Sequence, residues 1–452
     1  MPKLKALFIC QQCGGQALKW AGRCATCGAW NTLVEEIVED GPRQPAAVED
    51  ASNPTLLSEI TLDETIRIST GIGELDRVLG GGLVPGSVVL VGGDPGIGKS
   101  TLLLSAAGRL SGNGVGVLYV SGEESLRQTK LRATRLGLAS STLRLLADTQ
   151  LEVIEAAIRK TSPQVAIIDS IQVTESSALA SAPGSISQVR ACAHELVRLA
   201  KTTGCAILLV GHVTKEGFLA GPKVLEHVVD TVLHFEGDST SGFRLLRSTK
   251  NRFGATYELG VFHMTAEGLV EVTNPSELFL SDRTERVPGC MVSVSQEGNR
   301  SLLVELQALT SPCNFGIPRR RTTGVDVNRV SMLLAVLERR VGLKALGQHD
   351  VFVSSLGGMK VSEPAGDLAI ALALASSIKE RPGLGRDVAI GEVGLTGEVR
   401  PVVNLGQRLH EAKRVGFQRA FVASSTSPIE VEGFEVIGVR TVRDAVSRAL
   451  ED

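Results

Sequence analysis

The sequence predicts a mixed α/β protein in three parts, and three observations carry that prediction. Four of the eight cysteines fall within residues 10–27. From about residue 58 to 275, short runs rich in Val, Ile and Leu alternate with segments of helical apolar spacing. That is the pattern of a parallel sheet covered by helices on both faces. A second alternation of the same kind starts near residue 283 and runs to residue 452.

Composition narrows the classes. With 43% apolar and 21% charged residues the chain is an ordinary globular one. A net charge of −2 gives no whole-chain argument for nucleic acid, so a DNA-contacting surface must be a local patch. The longest apolar run, within Leu368–Ile378, is closed by Asp367 and Lys379. It falls well short of the ~20 residues a membrane span needs. MPKLKALFIC at the start lacks the apolar length and cleavage site of a signal peptide, so a cytoplasmic protein is expected.

The first part, residues 1–35, holds Cys10-Gln-Gln-Cys13 and Cys24-Ala-Thr-Cys27. Two such knuckles bring four thiolates to one tetrahedral zinc, a closed and therefore structural site. A module of this size builds too little core to fold without its metal. Two redox dithiols are the alternative, but neither pair sits in a βαβ unit. The scattered Cys192, Cys205, Cys290 and Cys313 read as small core hydrophobes. Residues 36–57 are acidic and rich in Pro and Ala without periodicity, as expected of a linker.

In the second part, strands are expected at Ser87–Gly92, Gly116–Ser121, Val165–Asp169 and Ala206–Gly211, with a partly antiparallel extension at Thr231–Phe235, Phe243–Lys250 and Val261–Thr265. The first strand runs into Gly93-Asp94-Pro95-Gly96-Ile97-Gly98-Lys99-Ser100, followed by Thr101 and a helical run. This is the phosphate-binding loop G-x-x-x-x-G-K-[ST] of an ATP-hydrolysing protein. Its backbone N–H groups cradle phosphates, Lys99 reaches the β- and γ-phosphates, and the Ser100 hydroxyl ligates Mg²⁺. Asp169, ending a buried strand, is the candidate second holder of the Mg²⁺ shell. Glu123 and Glu124 follow another strand end, where active sites of open sheets form, and spacing does not choose the base between them. His212 ends a fourth strand, either as a structural histidine or as a sensor of nucleotide state.

Ser69-Thr-Gly-Ile-Gly-Glu-Leu-Asp76, Leu79-Gly-Gly-Gly-Leu-Val-Pro-Gly-Ser87 and Lys250-Asn-Arg-Phe-Gly254 flank the phosphate loop. With the cysteine module in front, this order resembles the bacterial RadA (Sms) family of RecA-related DNA repair ATPases across essentially the whole chain. The resemblance implies a RecA-like core in homo-hexameric rings, with nucleotide at subunit interfaces. It implies DNA-dependent hydrolysis that drives branch migration, with single-stranded and branched DNA, RecA and recombination intermediates as partners. It selects Glu123 as the water-activating base and gives Lys250 and Arg252 a role on nucleotide across the interface. A surface-exposed basic turn is the plainer alternative for these two cations. Residues 175–188 and 214–223 match DNA-contacting loops of RecA-like proteins.

From about residue 283, and most clearly from His349, the chain resembles the proteolytic domain of Lon, which uses a Ser nucleophile and a Lys base. Pro364 in Val361-Ser-Glu-Pro-Ala-Gly366 stands where the serine belongs, and Gly406 in Pro401-Val-Val-Asn-Leu-Gly406 where the lysine belongs. The resemblance therefore implies a proteolytically inactive scaffold over 283–452. Arg319–Arg321, Arg339, Arg340 and Lys360 make it a candidate for DNA contact.

Overall fold

The structure, a computed structural model, describes residues 3–10, 15–40, 67–138, 142–212, 225–237, 242–256, 258–278, 280, 287–313, 317–344, 346–383, 386–426 and 429–450. The chain divides into two compact units, Met1–Val272 and Thr273–Asp452.

At the N-terminus, β1 (Lys3–Cys10) pairs antiparallel with β2 (Gln16–Ala17) and with β3 (Leu33–Asp40). The β1–β3 register runs from Cys10↔Leu33 to Lys3↔Asp40. The strand thus enters the segment read as a linker and extends to Asp40. Its acidic composition masked a strand because the partner that satisfies its backbone, β1, lies some thirty positions away in the sequence. Residues 41–57 of the expected linker lie outside the described residues.

The large sheet of the first unit has nine strands in the order β12-β11-β10-β9-β4-β8-β7-β5-β6. They are β4 (Val88–Gly93), β5 (Val117–Ser121), β6 (Arg144–Ala147), β7 (Val165–Asp169), β8 (Ala206–His212), β9 (Thr231–Glu236), β10 (Phe243–Asn251), β11 (Leu259–Thr265) and β12 (Gly268–Glu271). From β9 to β6 all neighbours are parallel, and β10–β12 add an antiparallel meander. The helices are α1 (Gly73–Leu79), α2 (Lys99–Gly112), α3 (Leu126–Arg135), α4 (Leu151–Thr161) and α5 (Ile186–Thr203).

The strands are apolar throughout because each alternate residue meets a different helical layer. Val89, Val91, Tyr119 and Ile167 pack with α1 and α2, whereas Val88, Leu90, Leu118 and Ile168 pack with α4 and α5. The four expected strands lie within one residue of those observed. β6 has no such signal, being short and only partly buried at the sheet edge. Cys192 and Cys205 are buried in the second of these layers, and burial pushes both thiols up to about 12. Cys290 and Cys313 are only half-buried, so the expectation of core packing fails for them.

In the second unit a seven-stranded sheet has the order β15-β16-β14-β13-β17-β20-β21, beside a small hairpin of β18 and β19. The strands are β13 (Cys290–Glu297), β14 (Arg300–Pro312), β15 (Arg320–Thr323), β16 (His349–Ser355), β17 (Asp387–Ile390), β18 (Glu392–Val393), β19 (Val399–Arg400), β20 (Arg419–Ala423) and β21 (Glu435–Val439). The helix Asp367–Lys379 is buried continuously from Asp367 to Ser376, which its all-round apolar composition requires.

Candidate nucleotide site and metal centre

The phosphate loop leaves the C-terminal end of β4, a central strand, and feeds α2. Position 93 requires glycine because a Cβ there would stand 2.6 Å from the Phe235 carbonyl oxygen. Gly98, just before α2, holds a φ of 115°, in the left-handed region that glycine tolerates. Lys99 is almost wholly buried, and its Nζ donates to the Gly93 carbonyl at 2.8 Å and the Asp94 carbonyl at 2.9 Å. Burial pulls this ammonium down to about 8, against the opposing pull of Asp169, Asp94 and Glu123. A desolvated cation wrapped by backbone is poised for an anion.

Asp169 ends β7 two strands away, and its carboxylate is held at both oxygens. Ser100 Oγ donates to Oδ1 at 3.1 Å, and the Tyr119 hydroxyl donates to Oδ2 at 2.5 Å. Ser100 and Asp169 offer the all-oxygen donor set that a hard divalent cation takes, so the residues present fit magnesium. The adjacent Ser170 donates to Glu123 Oε1 at 2.6 Å. Glu124 is instead ion-paired with Arg132 of α3. The two glutamates that spacing left equal therefore have different partners. His212 is the last residue of β8 and the register partner of Gly93; its side chain lies outside the described residues.

Tyr119 and Ser170 escaped the sequence reading. Strand parity places Tyr119 only once β5 and β7 are known to pair, since positions 119 and 121 share a face and 121 is the neighbour of 169 across that ladder.

Lys250 and Arg252 are not beside this loop in the same chain. Lys250 Nζ donates to the carbonyls of Glu226 at 2.5 Å and Val229 at 2.8 Å, and desolvation lowers its pKa. Arg252 donates to Asp230 Oδ1 at 3.2 Å, while Asp230 Oδ2 accepts from the Val88 N–H at 3.0 Å. The turn is braced by α1's exit: Asn251 Nδ2 donates to the Leu79 carbonyl at 3.2 Å, and Arg67 donates to the Phe253 carbonyl. Gly80 and Gly254 touch backbone to backbone, since a Cβ on Gly80 would meet Gly254 Cα at 3.2 Å. That contact accounts for glycine at both positions.

The thiols of Cys10, Cys24 and Cys27 lie within 4.8 Å of one another, with 3.7 Å between Cys10 and Cys27. Thiolates each ~2.3 Å from a shared tetrahedral zinc stand about this far apart, so the donor set fits zinc. Each described knuckle closes on itself, Cys10 N–H donating to Gly15 and Cys24 N–H to Ala29. Cys13 lies outside the described residues.

Of the two loops expected to meet DNA, residues 175–188 are held by Gln188, whose amide donates to the carbonyls of Ser176, Leu179 and Ser181. The second, residues 214–223, lies outside the described residues. In the C-terminal unit, Pro364 opens a short 3-10 turn and Gly406 sits in the first turn of the helix Leu405–Val415. Their neighbours meet. Arg408, fully buried, donates to both Glu363 oxygens at 2.6 and 2.7 Å and to the Val294 carbonyl at 2.5 Å.

Residues 8–35 match the rubredoxin metal binding domain family, and residues 56–217 match the AAA domain family. The DNA repair protein RadA of Bacillus subtilis (strain 168) is 51% identical over 460 residues, covering 100% of both chains. Its namesake in Pseudomonas aeruginosa is 52% identical over 457 residues, again covering 100% of both. That of Listeria monocytogenes is 48% identical over 453 residues and 98% of each. Among solved structures, an ATPase domain of another protein matches with a TM-score of 0.40 and 15% identity over 46% of this chain and 92% of that one, a likeness too slight to bear on function.

Proposed function

This chain belongs to the RadA family of DNA repair proteins, and from that premise we propose that its ATPase domain hydrolyses ATP in a DNA-dependent way to drive branch migration of recombination intermediates. The observation that carries the motor reading is the phosphate site itself. Lys99 is pre-wrapped by its loop, and Ser100 and Asp169 are already paired across two strands.

In this reading Lys99 exchanges its carbonyl partners for the β- and γ-phosphates of ATP. Magnesium, when bound, spreads the negative charge that develops on the transferring phosphoryl group. Ser100 and Asp169 hold it, and Tyr119 fixes the Asp169 carboxylate. Glu123, oriented by Ser170, accepts the proton of the attacking water. Glu124 has its own cationic partner and is assigned no chemistry. Lys250 and Arg252 act on the nucleotide of a neighbouring copy in a homo-hexameric ring, where a cation in trans stabilises the transition state. The partners we propose are single-stranded and branched DNA and RecA, with the cytoplasm as the place of work. Among the described residues no helix is long and apolar enough to cross a membrane.

The Lon-like unit, residues 283–452 in this reading, serves as a scaffold without peptidase activity. Pro364 and Gly406 supply neither nucleophile nor base, and the ion pair of buried Arg408 with half-buried Glu363 lies between their elements. Casein digestion that depended on Ser362 would revive the protease reading.

The decisive experiment is steady-state ATP hydrolysis by the zinc-loaded protein with and without single-stranded DNA, alongside Lys99→Ala. Stimulation by DNA that vanishes in the variant is the expected result. Robust hydrolysis indifferent to DNA would overturn the motor reading.

A further inference from the structure

The chain has two tryptophans, and both lie in the N-terminal module. Large aromatic side chains are normally drawn into the core of a small domain, where they bury the most area. Here the buried cluster consists of Cys10, Cys24 and Leu33, with Phe8 and Ala17 packed against it. Trp20 is 59% exposed and Trp30 is 69% exposed. Both rings come against the same glycine: a Cβ on Gly22 would stand 3.8 Å from Trp30 Cζ3 and 3.9 Å from Trp20 Cη2. The absence of a side chain at position 22 leaves the space beside both rings open.

The segment that carries them is cationic. Lys19 and Arg23 are exposed, and no Asp or Glu occurs from Gln16 to Val34. Arg23 is positioned as well as charged. Its Nε donates to the Gly28 carbonyl at 2.9 Å, and its guanidinium carbon stands 5.7 Å from the centroid of Trp30. A guanidinium held near an indole restrains the ring and leaves a positive charge next to it.

We propose that Trp20 and Trp30 form a base-stacking platform for single-stranded DNA, with Lys19 and Arg23 contacting the phosphates. Exposed aromatic faces interleaved with cations, and free of carboxylates, are the chemistry that takes unpaired bases without reading their sequence. A protein partner would need no such exclusion of acidic residues. The proposal rests on the reading that this chain engages DNA, and it assigns the stacking contribution to the metal module instead of the loops of the ATPase unit.

The indole fluorescence of the full-length, zinc-loaded protein reports on this platform alone, because no other tryptophan exists. Unlabelled oligo(dT) is titrated while fluorescein-labelled oligo(dT) is followed by anisotropy in parallel. The expected result is water-exposed emission in the free protein and quenching that saturates together with the anisotropy. An abasic strand of equal length should bind more weakly and leave the emission unquenched. Trp20→Ala and Trp30→Ala should each weaken binding about tenfold at unchanged zinc content, and Trp30→Phe, which keeps a ring, should recover most of the loss. Anisotropy that saturates while fluorescence stays unmoved overturns the proposal, assigns the pair to a protein contact and leaves the DNA-dependent motor standing. Absence of any anisotropy change sinks both together.

Discussion

Lys250 and Lys99 belong to opposite ends of one sheet. Lys99 follows Gly93, the last residue of β4, whose register partner on β9 is Phe235. Lys250 pairs with Val232, near the start of β9, and Asn251 with Thr231. Three strand residues, about 10 Å, and two strand spacings of about 5 Å each separate the two backbones. A lysine side chain does not cover that separation. Its ammonium is moreover aimed at Glu226 and Val229.

The proposed sharing of active sites between copies is consistent with this arrangement and can be tested by mixing variants. Lys99→Ala and Lys250→Ala should each abolish most hydrolysis, and Lys250→Ala should keep nucleotide binding. When the two variants are mixed and co-assembled, a fraction of sites combines an intact loop with an intact Lys250, so part of the activity should return. Mixed rings that remain dead would refute a role in trans.

Tyr119 should behave as a positioning residue. Tyr119→Phe removes the hydroxyl that donates to Asp169 Oδ2 and changes little else in the layer around it. A bond to a charged acceptor is worth about 1.5–3 kcal/mol, so thermal stability should fall modestly. A role on the Mg²⁺ shell predicts a larger fall in kcat than in ATP affinity, together with a raised magnesium requirement. Unchanged magnesium dependence would reduce Tyr119 to a packing residue.

The cysteines should divide by reactivity. Burial pushes Cys192 and Cys205 up to about 12, above the ordinary thiol value, so very little of the reactive thiolate is present near pH 8. At pH 8 a thiol reagent should leave both unmodified in the native protein and modify both after denaturation. Chelation of zinc should open Cys10, Cys13, Cys24 and Cys27 at the same pH while Cys192 and Cys205 stay protected. Mapping the modified sites by mass spectrometry checks each step.

Arg408 anchors the second unit. Arg408→Ala leaves Glu363 without its bidentate partner and the Val294 carbonyl without its donor. Glu363 keeps some contact with water, so the loss is that of hydrogen bonds to a charged group, about 1.5–3 kcal/mol. The expected outcome is a lower melting temperature for residues 273–452, followed by hydrogen exchange. Unchanged exchange in β13 and β14 would count against the anchor.

Local chemistry made the first layer of this protein readable in its sequence. The phosphate loop needs its glycines, lysine and serine in consecutive order, and zinc knuckles need their cysteines two apart. Buried parallel strands announce themselves as unbroken Val and Ile runs. Pairings over long sequence distances were not readable. Nothing near Asp169 in the sequence points to Tyr119, fifty residues earlier, and nothing in β3's acidic composition points to β1. Spacing does not separate Glu123 from Glu124, adjacent and alike; the family resemblance selects Glu123, and the fold gives the two different partners, Ser170 and Arg132. Nothing local to Arg408 in the sequence marks it as a core residue, yet it is fully buried.

Asp230 is a joint between two machines. One oxygen holds the amide of Val88, the residue from which the phosphate-loop strand starts, and the other holds Arg252. If Arg252 leaves to answer a neighbour's ATP, as the ring reading requires, Asp230 loses half of its bonding and the root of β4 loses its counterweight. Each subunit's loop would then sense whether its own finger is engaged next door. In the proposed ring, such wiring would favour turnover that passes from site to site over independent clocks.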